Sequence, residues 1–469
     1  MSSSDLPDQI DVESSKKQSF SIRFFGTPAF FRLWVAQVVS ATGDWLGILA
    51  FAALAADLGG TNASAAVALV MVARVLPGFF IASAAGVIVD RFDRKKIMVV
   101  CDIGRAGVLA TVPFINRVSY LALAALVLEL FTGLWSPAKE ASVPNLVPRE
   151  RLATANSQNV GAAYGTILIA TPIFAFSAKI AEWGHDLHVS SVLRFDKQSI
   201  AIYLDMVTFL TSAFLISRLT LPQNARKESD SEKRIDFAQG FNELREGWRF
   251  IGISPTVRAV MVGLGAGLLG GAMVIPLGPL FSKQILHAGE SGYGALTAAL
   301  GYGVAFGVLN ATWIQKRVPK ELVFTGAVVG GAISLGAAAS LGTVWTSAIG
   351  IFALGMCAGF MYVLGFTVLH ESVTDELRGR IFASVAAIVR FCVLMALAFG
   401  PLLVPPLDRL SKLLFGNDRS VGGFDMFGVR LALYVAAAII AMAGLLSLKT
   451  LRREHAVAGV DEIPTEANP

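Results

Sequence analysis

The chain has 469 residues, of which 54% are hydrophobic and only 16% are charged, against roughly 25% charged residues in an ordinary soluble domain. So little charge cannot cover the surface of a soluble protein of this size, and a mean hydropathy of +0.63 excludes a disordered chain. Three cysteines exclude a disulfide scaffold. The composition therefore predicts an all-α protein that crosses a membrane many times.

Twelve apolar segments follow a polar beginning. Residues 1–28 contain no apolar stretch with a cleavage site, so we expect a cytoplasmic N-terminal segment and no signal peptide. Each later apolar segment is close to the length of about 20 residues that a transmembrane helix needs. The segments are 33–56, 65–88, 97–115, 119–136, 157–178, 200–217, 259–281, 293–314, 322–342, 346–369, 382–403 and 426–448. We expect the last residues, 449–469, to form a cytoplasmic tail.

A long polar interruption, 218–258, divides these segments six and six. Its second part, 237–253, has apolar residues three or four positions apart, which predicts an amphipathic helix at the inner membrane surface. We therefore predict an N-terminal six-helix half over 29–217, a cytoplasmic linker over 218–258 and a C-terminal six-helix half over 259–448.

The distribution of Lys and Arg predicts the orientation in the membrane. If the N-terminus is cytoplasmic, 27 of the 39 Lys and Arg residues lie in inner connections and 8 in outer ones. The positive-inside rule then places both termini in the cytoplasm. The basic residues are orientation signals and contacts for anionic lipid headgroups, so the net charge of +5 does not indicate nucleic acid as a partner.

The connection between the second and third segments carries a distinctive motif. It reads Gly86-Val-Ile-Val-Asp90-Arg91-Phe-Asp93-Arg94-Lys95-Lys96. This motif resembles the signature of the major facilitator superfamily, with an aspartate where many members have glycine. Three more stretches, 136–148, 203–210 and 375–382, are similar to the branch of siderophore and macrolide exporters. Some relatives there carry a thymidylate kinase-like domain, which we do not expect because this chain has no G-x-x-x-x-G-K-[ST] sequence.

The resemblance extends over about residues 30–450 and implies a twelve-helix major facilitator fold. It also implies a secondary transporter of the cell membrane that exports a small amphipathic or hydrophobic compound by alternating access. Substrate then binds at the midplane between the two halves. Proton coupling is a further hypothesis, and we expect a monomer without cofactor or metal that contacts membrane lipids.

The motif residues are interpreted as a conformational gate. Gly86 lets another helix approach closely, and Asp90 can lie near the positive start of the eleventh segment. Such contacts exist only while the cytoplasmic side is closed. The predicted gate comprises Gly86, Asp90, Arg91, Asp93, Arg94, Lys95, Arg378, Gly379 and Arg380. The structural alternative is a basic inner loop that contains a turn.

Charged residues inside the segments indicate a second site, because charge within a membrane is costly and usually functional. Asp44, Arg74 and Glu129 fall within about one helical turn of the same depth, and Arg390 lies near the midplane in the other half. We predict that Asp44 and Glu129 contribute to a protonation or cation-binding site in the cavity, with Arg74 as partner of Asp44. The alternative is a permanent structural ion pair between Asp44 and Arg74.

Charged residues nearer the segment ends are expected to have a structural role. Asp102, Arg105 and Asp205 each lie about five residues inside a segment, so we expect that they can reach the membrane surface by extending along the helix. Glycines at four-residue spacing in segments seven, eight and ten predict close helix contacts. Pro276 and Pro279 predict a kink in segment seven.

Other classes of function are weighed against transport. All five histidines lie in predicted loops or the tail, so no catalytic or metal cluster is evident and we predict no enzyme. A lipid or lysophospholipid translocator without proton antiport stays open, because segment four lacks the arginine of drug antiporters and 165–172 lacks their glycine-proline pattern. A membrane receptor or scaffold that transports nothing would be expected to carry a soluble output domain, for which the tail is too short.

Overall fold

The computed structural model describes residues 25–148, 151–186, 197–219, 254–372, 375–416, 420–421 and 424–461. The predicted amphipathic helix at 237–253 and the first 24 residues lie outside these ranges. Within the ranges the chain forms fifteen α-helices and one short hairpin, in which Ser420–Val421 pairs antiparallel with Phe424–Asp425.

The helices of the N-terminal half are α1 (Pro28–Gly59), α2 (Ala63–Arg91), α3 (Arg94–Thr111), α4 (Val118–Ser142), α5 (Leu152–Gly165), α6 (Ile167–Asp186) and α7 (Lys197–Ser217). Those of the C-terminal half are α8 (Pro255–Ala272), α9 (Val274–Gln284), α10 (Gly289–Ile314), α11 (Lys320–Ser340), α12 (Val344–Ser372), α13 (Asp375–Leu402), α14 (Val404–Phe415) and α15 (Gly428–Asp461). Short 3-10 turns follow α1, α3 and α4 at Gly60–Asn62, Val112–Phe114 and Val143–Asn145.

Each of the twelve apolar segments overlaps at least one of these helices. Among the described residues, ten stretches are long and apolar enough to cross a membrane, and the first of them, Pro28–Gly78, covers α1 and the beginning of α2. A bent pair formed by the end of α13 and by α14 can be counted as an eleventh. The predicted all-helical membrane fold is confirmed, whereas the count of twelve and the cytoplasmic termini stay predictions.

Two of the predicted segments are divided. Segment seven forms α8 and α9, which meet at Met273, three residues before Pro276. Segment five forms α5 and α6, which meet at Thr166. Trp45 of α1 donates a hydrogen bond from its indole nitrogen to the carbonyl oxygen of Ala163, at 3.1 Å, and so supplies a partner for a carbonyl in the last turn of α5.

The glycine patterns of segments eight and ten meet each other. A Cβ atom added at Gly355 of α12 would lie 3.1 Å from the Cα atom of Gly303 in α10, and one added at Gly359 would lie 3.0 Å from the Cα atom of Gly307. The two helices are therefore in backbone contact, which only glycine permits. In α8, by contrast, Gly263 faces the side chain of Phe324 in α11.

Buried apolar side chains form a large core in each half. The C-terminal core is built from α8 to α15. The main N-terminal core also takes in Tyr293 of α10 and Leu397 of α13, so the halves share apolar contacts. These contacts lie toward the end of the bundle at which α1 finishes, which is the outer end in the predicted orientation.

Candidate functional site: a buried charge cluster

Six ionisable side chains from five helices of the N-terminal half come together between the helices. We call this group the charge cluster. Its members are Asp44 of α1, Arg74 of α2, Asp102 and Arg105 of α3, Glu129 of α4 and Asp205 of α7. The cluster contains the three residues that the sequence placed at one depth in this half, together with three that it did not assign to a site.

Asp44 lies between two arginines. Its Oδ1 atom is 3.6 Å from Nη2 of Arg74, and its Oδ2 atom is 3.6 Å from Nη1 of Arg105. The side chain of Asp44 is 30% exposed, whereas those of Arg74 and Arg105 are 7% and 1% exposed. Asp44 is therefore the most exposed side chain of this group of three.

Arg105 is held from several sides. Its Nη2 atom donates a hydrogen bond to Asp102, whose other carboxylate oxygen accepts one from Ser212 of α7 at 2.8 Å. The guanidinium carbon lies 4.1 Å from the ring centroid of Phe209 and 5.2 Å from that of Trp135. Such stacking on aromatic faces favours arginine over lysine.

The expectation that Asp102, Arg105 and Asp205 reach the membrane surface is wrong, because all three are completely buried. Asp102 lies about 12 Å along α3 from its first residue, and its carboxylate is occupied by Arg105 and Ser212. Aromatic rings lie against the guanidinium of Arg105. A charged side chain can extend along its helix to water only where no neighbouring helix covers that side of it, and here neighbouring helices do.

Asp205 is packed against the backbone of α1. A Cβ atom at Gly47 would lie 2.5 Å from Oδ2 of Asp205, and one at Gly43 would overlap the other carboxylate oxygen and the hydroxyl of Thr208. These two glycines therefore make the space that the carboxyl group occupies. Among the described residues, Oδ2 of Asp205 has no hydrogen-bond partner. Two glycines four positions apart in α1 are the sequence signal that could have located this contact.

Glu129 approaches the cluster from α4. Its Oε1 atom is 3.0 Å from the position that a Cβ atom would take at Gly78 of α2, and it lies within electrostatic reach of Arg74, Asp44 and Arg105. Within the described part of the chain it makes neither a hydrogen bond nor an ion pair. Glu129 is thus a member of the cluster that forms no ion pair with a described cation.

The cluster has more acids than bases. It holds four carboxyl groups and two guanidinium groups, so with all six ionised it would carry a net charge of −2. A net charge in an apolar interior is costly, which favours the uptake of positive charge. The described residues contain no group of three or more His, Cys, Asp or Glu side chains arranged for a metal ion.

The predicted gate is described in part. Asp93 begins α3, where its Oδ1 atom accepts hydrogen bonds from the backbone nitrogens of Lys95 (2.9 Å) and Lys96 (3.3 Å). Arg94 donates to the carbonyl oxygen of Ala141 in α4 at 2.6 Å, and Arg91 is exposed. No described atom lies within 4 Å of a Cβ position at Gly86. Most side chains in the first half of α13 are outside the described part of the structure, so a close helix approach at Gly86 stays a prediction.

Other predicted residues fall outside the described side chains. The backbones of Asp90, Arg378, Gly379, Arg380 and Arg390 belong to α2 and α13, but their side-chain positions lie outside the described part of the structure. Their roles as gate residues, and that of Arg390 at the midplane, stay predictions.

The cap at Asp93 leads to a test that separates the contribution of the cap to stability from that of the charge. We expect Asp93→Ala to lower the free energy of unfolding by about 1 kcal/mol, because α3 loses its capping acceptor. Asp93→Asn keeps an acceptor and should stay within a few tenths of a kcal/mol of the parent protein. The measurement is the unfolding midpoint of the purified protein in detergent. Equal losses in both variants would show that the charge of Asp93, and not its cap, stabilises the protein.

A polar network joins the two halves at the end of the bundle where α1 finishes, which is the outer end in the predicted orientation. Nζ of Lys283 in α9 is 2.8 Å from Oδ1 of Asp57 in α1. Gln198 of α7 donates to Oδ2 of Asp57 at 2.6 Å and also contacts Glu290 of α10. Close by, the ring of Tyr293 packs edge-on against Phe174. The sequence analysis missed this network, since its members lie at segment ends where charged residues are common.

The fold is similar to that of solved transporters. The structure of a bacterial homologue of the human lysosomal transporter Spinster, in an inward-facing and unoccupied conformation, aligns with a TM-score of 0.65 at 13% identity. The alignment covers 91% of this chain and 97% of that protein. At this identity the likeness shows the fold alone.

The chain is similar in sequence to bacterial transporters, two of which are described as exporters. The chain is 25% identical over 396 residues to the MFS-type transporter YkuC of Bacillus subtilis, covering 82% of this chain and 88% of that protein. It is 26% identical over 343 residues to the putative bacilysin exporter BacE of Bacillus subtilis, with 70% and 77% covered. It is 25% identical over 311 residues to the enterobactin exporter EntS of Salmonella choleraesuis, with 63% and 66% covered.

The family itself is shown by a match along most of the chain. The sequence profile of the transmembrane secretion effector family matches residues 21–181 and 198–403. The resemblance inferred from the motifs is thereby confirmed, together with the prediction of a membrane transporter that is not an enzyme. The chain belongs to the transmembrane secretion effector family of the major facilitator superfamily.

Proposed function

We propose that this secondary transporter exports a small amphipathic or hydrophobic compound across the cell membrane by alternating access and uses proton entry as its driving force. The observation that carries the proton coupling is the charge cluster, in which two arginines share an excess of carboxyl groups. Relatives described as exporters of bacilysin and enterobactin support the direction of transport. The proposal includes a monomeric protein with both termini in the cytoplasm.

Asp44 and Glu129 are the proposed coupling acids. Asp44 is partly exposed and pairs with Arg74 and Arg105, so a proton or a cationic substrate that binds there breaks both of these ion pairs. Glu129 lies close enough to respond to that change in charge but has no ion pair of its own. Carboxyl groups that are exposed in turn to either side of the membrane can take up a proton outside and release it inside.

The outer network supplies the conformational part of the proposal. The contacts from Asp57 to Lys283 and from Gln198 to Glu290 hold the two halves together at the outer end. Opening toward the outside has to break them. In that state the halves close at the cytoplasmic end, where the proposed gate of residues 86–95 and 378–380 forms its contacts.

The proposal is tested with the purified protein in proteoliposomes. A panel of cationic and neutral amphipathic compounds and of fluorescent lipids is offered with and without an imposed pH gradient, with protein-free liposomes as the control. We expect movement of a small compound that requires the gradient. Lipid movement that is indifferent to the gradient would instead identify a lipid translocator. Movement of nothing in the panel would contradict transport of this class and favour a receptor or scaffold.

A further inference from the structure

Helix α14 has no counterpart in the twelve predicted segments. It has 12 residues, follows α13 after Leu403 and is bent by 42° from the end of that helix. The 28 residues of α13 are already about 42 Å long, more than the roughly 30 Å of a hydrocarbon core. α14 is therefore not needed to complete a crossing, and its axis turns away from that of α13.

One face of α14 is fixed to the beginning of α15. Val404 and Ser411 are buried, and the hydroxyl of Ser411 donates a hydrogen bond to the carbonyl oxygen of Met426. Asp408 accepts a hydrogen bond from the backbone nitrogen of Gly428 at 3.1 Å. These attachments set the rotation of α14 about its axis, so the direction of its other side chains is determined.

The opposite side exposes large apolar side chains. Leu410 is 45% exposed, Leu413 84% and Leu414 64%. With 3.6 residues per turn, the three leucines fall within about 100° of the helix circumference. Arg409 and Lys412 are also exposed, and they lie beyond Leu413 on the polar side. This order of apolar, then basic, side chains is that of a helix that lies in the plane of a membrane surface.

We propose that α14 lies in the headgroup region of the outer leaflet, with its leucines among the acyl chains and Arg409 and Lys412 on the phosphates of anionic lipids. α15 is long and apolar enough to cross the membrane, and α13 is about 42 Å long, so α14 stands at the level where a span ends. Leu402 at the end of α13 is 47% exposed and continues the apolar surface.

Lipid fits this face better than a second copy of the chain. A helix of 12 residues is about 18 Å long and about 10 Å wide, an area well below the roughly 800 Å² per partner of a stable protein interface. Two exposed basic side chains beside the leucines match the charge of anionic headgroups. Through α14 the bilayer then holds the outer end of α13, the helix that also carries the proposed gate residues at its other end.

Depth in the membrane is the first test. A nitroxide is attached to Leu413→Cys in the full chain, in a background where Cys101, Cys357 and Cys392 are alanine, and the protein is placed in nanodiscs that contain phosphatidylglycerol. We expect collisions with oxygen but not with a water-soluble nickel complex. The matched control, Lys412→Cys on the same helix, should respond to the nickel complex. The proposal would be overturned if the label at position 413 collided with the nickel complex as the control does. It would also be overturned if that label collided with neither reagent, because protein would then cover it.

Headgroup selection is the second test. The fraction of spin-labelled phosphatidylglycerol held by the protein is compared with that of phosphatidylcholine, for the parent chain and for Arg409→Gln with Lys412→Gln. We expect the preference for the anionic lipid at this site to fall about fivefold for each charge removed. Lys316→Gln with Arg317→Gln, exposed at the end of α10, is the control for loss of two basic residues elsewhere. An unchanged preference in the α14 variant would contradict the role of these two residues.

Discussion

Replacing Glu129 with glutamine is expected to abolish the part of transport that a pH gradient drives, and to leave the fold intact. Glutamine has nearly the same shape as glutamate but cannot take up a proton. Among the described residues Glu129 has no ion pair, so the change leaves no arginine without its partner. The uptake rate under an imposed gradient should fall to that of protein-free liposomes, whereas exchange of substrate without a gradient should continue.

The matched control for Glu129→Gln is Asp44→Asn. Asparagine at this position deprives both Arg74 and Arg105 of a carboxylate, so we expect a loss of gradient-driven transport together with a lower unfolding midpoint. Glu129→Gln should show the first effect without the second. Gradient-driven transport that continues unchanged in Glu129→Gln would refute the assignment of this residue, while leaving the transporter function itself in place.

The sequence located half of the charge cluster for a physical reason. Asp44, Arg74 and Glu129 lie deep in long apolar segments, and position along a helix converts directly into depth at 1.5 Å per residue. Asp102, Arg105 and Asp205 are even more completely buried, but their burial comes from neighbouring helices and not from depth. Tertiary packing decides which side of a helix contacts which neighbour. A hydropathy pattern carries no information about these contacts.

The gate motif and α14 are two more features whose structural role the sequence pattern did not reveal. Asp93 was singled out for its place in the motif, yet its described contacts are those of a helix cap. α14 escaped detection because Asp408, Arg409 and Lys412 interrupt its apolar residues. A search for about 20 apolar residues in a row finds membrane-spanning helices. A short helix at a membrane surface is recognised only when it is known which of its side chains face the protein and which are exposed.

Replacing Arg105 with methionine is expected to have the largest effect on stability. Arg105 is completely buried and is the only described cation bonded to Asp102, so its removal leaves a buried carboxylate without a cation at its side. Removing one partner of a buried ion pair costs about 3–5 kcal/mol. The free energy of unfolding, followed by denaturant titration in detergent, should fall by that amount, and little folded protein should be recovered.

A double variant distinguishes loss of the pair from loss of packing. In Arg105→Met with Asp102→Asn no uncompensated charge is left at this pair, so we expect most of the lost stability to return, as it does when both partners of a buried pair become neutral. Lys316→Met at the exposed end of α10 is the control for loss of one cation and should change the free energy of unfolding by less than about 0.5 kcal/mol. If the double variant were as unstable as Arg105→Met, then the stacking of the guanidinium on Phe209 and Trp135, and not its charge, would be what stabilises this region. In that case Arg105 would be a packing residue, and only Asp44, Arg74, Glu129 and Asp205 would remain as groups whose charge the transport cycle can use.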